Sequence, residues 1–100
     1  MSKKLIRSKF RSVVFARDKN LCVLCKSPAV DAHHITDRYL MPNGGYVLEN
    51  GISLCAVCHK RAEEYHRTKG WCLPGYYPDD LYHKIGSSLE LAHIKSKELL

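Results

Sequence analysis

One hundred residues, 45 % hydrophobic and 26 % charged, suit a single small domain whose thin core needs bracing by a metal or by disulfides. No apolar run is long enough to span a bilayer and no charged-then-apolar leader opens the chain, so neither a membrane nor a secreted protein is expected and the setting reads as cytoplasmic. The formal charge of +6 sits at the front, where Lys3, Lys4, Arg7, Lys9, Arg11, Arg17 and Lys19 face Asp18 alone and the remaining nine basic and nine acidic residues cancel. Such a basic front is either a polyanion contact or a solvated helix face with a frayed tail.

Residues 5–18, LIRSKFRSVVFARD, carry Leu5 or Ile6, Phe10, Val13 and Val14 at helical spacing and predict an amphipathic helix. A tight CVLC knuckle follows, and SPAVDAHHI leads from a Pro turn into a short strand with Ala29, Val30, Ala32 and Ile35 as its apolar positions. Asn43-Gly44-Gly45 is a turn signal, and Tyr46-Val47-Leu48 after it predicts a second strand, paired antiparallel with the first across a long loop. From Ile52 to Lys69 the period is helical, with Lys60, Arg61, Glu63, Glu64 and Arg67 on the exposed face. Residues 70–80 are rich in Gly, Pro and aromatics and predict irregular packing over the core, in which Trp71, Tyr76 and Tyr77 serve as core area rather than as base-stacking platforms. A short helix then ends at Gly86, and Ser87 with Glu90 forms a capping box for a last helix through Leu100. The face made by Leu81, Ile85, Leu89 and Ala92 is either core or a surface for a protein partner or for self-association.

Cys22-x-x-Cys25 and Cys55-x-x-Cys58 are two knuckles on either side of the predicted strands, the spacing of a four-thiolate zinc site. Four thiolates fill a tetrahedral sphere, so this zinc is expected to be structural. Cys72, the fifth cysteine, reads as a small core residue. His33 and His34 end the first strand and project to opposite faces, while His59 directly follows Cys58 on the helix that the zinc pins beside the strands. Three imidazoles thus converge with unlike roles: one ligating a cation together with His59, the other serving as a general base.

The run CVLC, AHHI, LENGISLC and CHK resembles the HNH nucleases of the His-Me finger or ββα-metal group over residues 10 to about 68, leaving about 70–100 as a C-terminal extension. That resemblance implies a small α+β fold: a ββα-metal core with zinc knuckles, flanked by the basic N-terminal helix and the C-terminal helices. It also implies a one-metal phosphodiesterase with His34 as the base, His33 and His59 as metal ligands, and Asn50 aiming the His34 ring through the loop between strands. Glu63, one helical turn beyond His59, is a third-ligand position in some members or else faces solvent beside Glu64, and His66 lies on the same side of the helix. Family members often carry aspartate where this chain has His33, and imidazole ligation leaves Mg²⁺, Mn²⁺, Ni²⁺ and Zn²⁺ all open as the catalytic ion. The expected partner is double-stranded DNA, with Arg7, Lys9, Arg11 and Arg17 on the basic helix and Arg38, Lys60 and Arg61 beside the motif as phosphate contacts. The size fits a phage or mobile-element protein or a part of a restriction or packaging apparatus. The rival reading is a non-catalytic zinc-knuckle module that binds DNA or protein, and such a module has no use for a base beside a metal ligand.

Overall fold

A computed structural model describes residues 3–99. Helix α1 spans Lys3–Arg17, and Phe10 and Val14, one turn apart, are the two side chains it buries. Val13 stays 36 % exposed and Leu5 60 %, so the apolar stripe is narrower than its spacing predicts. Strand β1 (Asp31–His34) pairs antiparallel with β2 (Gly51–Leu54), with His33 opposite Ile52 and His34 opposite Gly51. Helix α1 lies so close on this ribbon that a Cβ on Gly51 would fall 2.5 Å from Val14 Cγ2 and 2.8 Å from Phe10 Cε1. Glycine is required there by the close approach of the helix, since its φ of −121° suits any residue.

The second strand is therefore not Tyr46–Leu48. Val47 is extended, but Leu48–Asn50 forms a 3₁₀ turn, and the strand begins just after it. All four residues of β2 are buried, which erases the polar–apolar alternation that marks a half-exposed strand. Ser53 tolerates burial because its hydroxyl donates to the Val14 carbonyl (3.3 Å) and its amide to Asp18 Oδ2 (2.9 Å). Helix α2 starts later than expected, at Ala56, and runs to Thr68, with Cys55 Sγ accepting from the Cys58 amide at its N-terminus (3.4 Å).

Helix α3 (Pro78–Ile85) stops at Gly86, whose φ of +70° is the left-handed conformation expected of a glycine stop. Helix α4 (Leu89–Lys97) is capped by Ser88, whose Oγ accepts from the Leu91 amide (3.0 Å), and not by Ser87. Ser87 donates instead to the Glu49 carbonyl (2.9 Å), so its hydroxyl is already committed. The helix closes at Lys97, short of the expected end, and Leu100 lies outside the described residues. Leu81, Tyr82 and Ala92 join Ile35, Ile52, Leu54, Cys22 and Cys58 in one core cluster, which makes Leu81 and Ala92 core, while Leu89 is exposed. Trp71, expected to pack, is 55 % exposed, whereas Cys72 is buried as read. The fold is thus small α+β, with a two-stranded antiparallel sheet and four α-helices among the described residues. No helix among those residues is long and apolar enough to cross a membrane.

Arg17 closes α1 onto the ribbon. Its guanidinium pairs twice with Asp18 (2.7 and 2.8 Å) and also donates to the carbonyls of Leu48 (2.9 Å) and Gly51 (2.7 Å). Burial by itself would raise the Asp18 carboxyl, but the bonds from Arg17 and Ser53 outweigh it and hold the group below its ordinary value of 3.8. Arg17→Ala strands a mostly buried carboxylate and two carbonyls and is expected to cost on the order of 3 kcal/mol in urea unfolding at pH 7. Because the Asp18 pKa is depressed on folding, that difference between wild type and variant should shrink as pH falls through the folded-state value, below 3.8. Equal stability of the two proteins at neutral pH would contradict this role.

Candidate active site and metal clusters

The chain leaves α1 through Lys19 and Asn20, both at positive φ, and enters a knuckle closed by Cys22 N–H to Ser27 O (2.7 Å) and Lys26 N–H to Cys22 O (2.9 Å). This brings Cys22 and Cys25 to Cys55 and Cys58 at the start of α2, with the four sulfurs all within 4.8 Å of one another and Cys25 3.5 Å from Cys55. None is in a disulfide. A tetrahedral zinc with bonds of about 2.3 Å holds its sulfurs about 3.8 Å apart, so the cluster has the size and donor chemistry of a structural metal site. Bonds to Ser27 draw the exposed Cys25 thiol down to about 6, while burial pushes Cys58 up to about 12, so metal uptake here must release protons.

The pleat of β1 sends its two histidines to opposite sides. His33, 1 % exposed, faces α2, where its ring lies 5.1 Å from that of His59 and 5.2 Å from that of His66, nearly parallel to the latter. Its Nδ1 is 3.1 Å from Glu63 Oε1 but lacks hydrogen-bond alignment, and is left buried without a hydrogen-bond partner. The same Glu63 oxygen lies 3.3 Å from His59 Nε2, and the other nitrogen of His59 sits 3.0 Å from Asp31 Oδ2. Glu63 thus lies against both histidines while its side chain stays 48 % exposed. Contact with His33 and His59 holds its carboxyl well below the ordinary range, Glu63 in turn raises His59, and burial lowers His33. His66 donates from Nε2 to the His34 carbonyl (2.9 Å), and donor atoms of His33, Glu63 and His66 lie within 4.8 Å of one another.

His34 projects the other way, stacked on Phe10 (4.4 Å between centroids) with Tyr46 edge-on at 4.7 Å. Its Nε2 has no hydrogen-bond partner, and burial pushes the imidazole down to about 4, which keeps it neutral with a free lone pair at pH 7. A cavity of about 380 Å³ is lined by both histidines of β1 together with His59, Glu63, His66 and Arg38.

Asn50, fully buried, ties this region together. Its Oδ1 accepts from the Thr36 amide (3.0 Å) and the Tyr82 hydroxyl (2.7 Å), while Nδ2 donates to the carbonyls of Thr36 (3.1 Å) and Gly45 (3.2 Å). Thr36 Oγ1 meets the same Tyr82 hydroxyl at 2.7 Å. The carboxamide therefore has all four positions filled and fixes the chain just beyond His34. Tyr82 has no signal in the sequence that would link it to Asn50. Asp31 and His66 do have one: Asp31 is two residues before His33 on one strand face, and His66 is seven after His59 on one helix face.

The cations expected at DNA divide. Arg7, Lys9 and Arg38 line a groove of about 800 Å³ between α1, the 38–49 loop and α4, together with Lys3 and Lys95. Arg17 is consumed by the fold, as above, and Arg11 donates to the Val30 carbonyl (2.9 Å), approaches Asp31 (3.8 Å) and lies over Phe15. Lys60 and Arg61 are exposed on α2, with Arg61 donating to the Tyr76 hydroxyl (3.0 Å) beside the cysteines. Arg38 donates to the hydroxyls of Tyr39 (3.1 Å) and Tyr46 (3.4 Å) and borders both cavities.

Residues 22–64 match the family model of the HNH endonucleases, a segment that contains the four cysteines, β1, Asn50, β2 and the start of α2 through Glu63. Neither the curated proteins nor the solved structures compared contain a match to the chain.

If the sulfur cluster holds a structural metal, Cys22→Ser should lose the bound zinc and the thermal stability together, because binding and folding share one free energy. The check is zinc content by elemental analysis alongside a thermal melt; a variant that loses zinc yet melts where wild type does would rule the structural role out.

Proposed function

We propose, taking the HNH endonuclease match over residues 22–64 as premise, that the chain is a metal-dependent endonuclease that hydrolyses phosphodiester bonds of double-stranded DNA. It would work as one domain, with residues 70–100 as an extension. The observation that carries this reading is a single cavity lined by His34, neutral and with no hydrogen-bond partner at Nε2, on one side of β1 and by His33, His59 and Glu63 on the other.

In this reading His34 takes a proton from a water, and the resulting hydroxide attacks phosphorus in line as the P–O3′ bond breaks. Phe10 stacked on the ring and Tyr46 edge-on to it restrict the imidazole plane, and Asn50 restrains the backbone that follows it. A divalent ion, Mg²⁺, Mn²⁺, Ni²⁺ or Zn²⁺, held by His33, His59 and Glu63, would supply charge neutralisation at the phosphate and at the leaving oxygen. Arg38, exposed at the rim, is available to a neighbouring phosphate, and Arg7 and Lys9 extend the same basic lining along α1. Zinc on Cys22, Cys25, Cys55 and Cys58 would serve the fold alone, because four thiolates leave no position open to water.

His34→Ala should lower nicking of supercoiled plasmid by about a hundredfold or more while retaining the thiolate-bound zinc and the helical circular dichroism. Nicking at the wild-type rate by that variant, in each of the four divalent ions, would remove the assignment of the base. The double variant Arg7→Ala/Lys9→Ala should weaken DNA binding and make the slope of log affinity against log salt shallower by about 2. An unchanged slope would mean that these two cations face only solvent.

A further inference from the structure

We propose that His66, which lies outside the family-matched segment, is a further protein ligand of the cation at His33, His59 and Glu63, giving a donor set of three imidazoles and one carboxylate. The inference rests on reading this cavity as a cation site, and three observations carry it.

A histidine that binds a metal through one ring nitrogen characteristically commits the other to a carboxylate or a backbone carbonyl. His59 has this arrangement, with Nδ1 on Asp31 Oδ2 and Nε2 toward Glu63. His66 has it as well: a carbonyl oxygen only accepts, so the 2.9 Å contact with His34 O puts the proton on Nε2 and leaves the lone pair on Nδ1. Donor atoms of His33, Glu63 and His66 lie within 4.8 Å of one another, a trio that His59 joins only through Glu63 Oε1, 3.3 Å from its Nε2. Finally, His33 Nδ1, in a residue only 1 % exposed, makes no aligned hydrogen bond and lies 3.1 Å from Glu63 Oε1 within this cluster. A buried nitrogen and a carboxylate oxygen this close without an aligned hydrogen bond are a pair that a shared cation would satisfy.

Two consequences follow. A set with three nitrogens to one carboxylate prefers zinc, nickel or cobalt to magnesium, whose sites are built from oxygen. His66 would also join the cation to the main chain of His34, so that loading the ion tightens the segment carrying the base.

The test uses the full chain, labelled with ¹⁵N at histidine and titrated with ¹¹³Cd²⁺. Two cadmium ions are expected, one among the thiolates and a second showing ¹¹³Cd–¹⁵N coupling to His33, His59 and His66. His66→Ala should weaken binding of Ni²⁺ at that second position by at least about tenfold in calorimetric titration. The variant also loses the bond to the His34 carbonyl, so the coupling at His66 in the unaltered protein is the deciding readout. Coupling to His33 and His59 without His66 would overturn the inference and leave the cation site standing. No second cadmium at all would overturn the cation site and this ligand together.

Discussion

Two cysteine pairs some thirty residues apart have their sulfurs within 4.8 Å, and this closure sets where α2 begins and which way it points. Cys55 is at once a member of the cluster and the residue that caps the helix, and Cys58 lies in the first turn. His59 follows immediately, so the direction of its ring is fixed by the closure one residue earlier. Glu63 and His66 then fall on the same side by the helical repeat. A two-stranded ribbon alone is marginal in water. Here it is held between this pinned helix on one side and α1 on the other, with Arg17 and Asp18 bracing the second contact.

That sandwich explains how neighbouring histidines come to differ. The pleat gives His33 to α2 and His34 to α1, and each inherits the chemistry of the element it meets. Against α2, His33 finds Glu63, His59 and His66, groups that together offer a cation nitrogen and oxygen. Against α1, His34 finds Phe10 and Tyr46, rings that desolvate the imidazole and suppress its charge. Asn50 and Tyr82 hold the exit from β1, and Tyr82 comes from α3, so the C-terminal extension contributes to the geometry of a site whose motif ends well before it.

The parts of this arrangement that are legible in the sequence are those whose meaning lies in short spacing. Cys-x-x-Cys twice and His33 beside His34 constrain local geometry strongly enough to be read directly, whereas Asn50 is legible only through the resemblance to the HNH nucleases. Strand β2 is hidden, because burial on both faces leaves no alternation, and Ile52, Cys55, Cys58 and Ala62 run on at nearly helical spacing. Tyr46–Leu48 has the composition of a strand, but the chain must turn there so that Asn50 can reach both Thr36 and Gly45. Arg17 reads as one more surface cation, since nothing local says that its partners are carbonyls 31 and 34 residues away. Trp71 reads as core because large aromatics usually are, yet α3 and α4 supply Leu81, Tyr82 and Ala92 for that purpose and leave it outside.

Electrostatics orders the guests of the smaller cavity. Glu63 stays ionised well below the ordinary carboxylate range, Asp31 sits against His59, and Asp37 lines the wall, whereas among the described residues the only permanent cation there is Arg38 at the rim. Burial lowers both His33 and His34 and so works against any compensating charge from them, whereas Glu63 and Asp31 raise His59 and let it offset part of the field. A phosphodiester approaching this wall without a metal would bring its negative charge toward Glu63 in a partly desolvated space, where repulsion is screened far less than in water. A divalent cation reverses that field locally, because its own charge is the largest in the site. On the proposed reading the ion therefore has to precede the nucleic acid, and the basic groove along α1 holds the polyanion nearby without asking it to enter an anionic pocket.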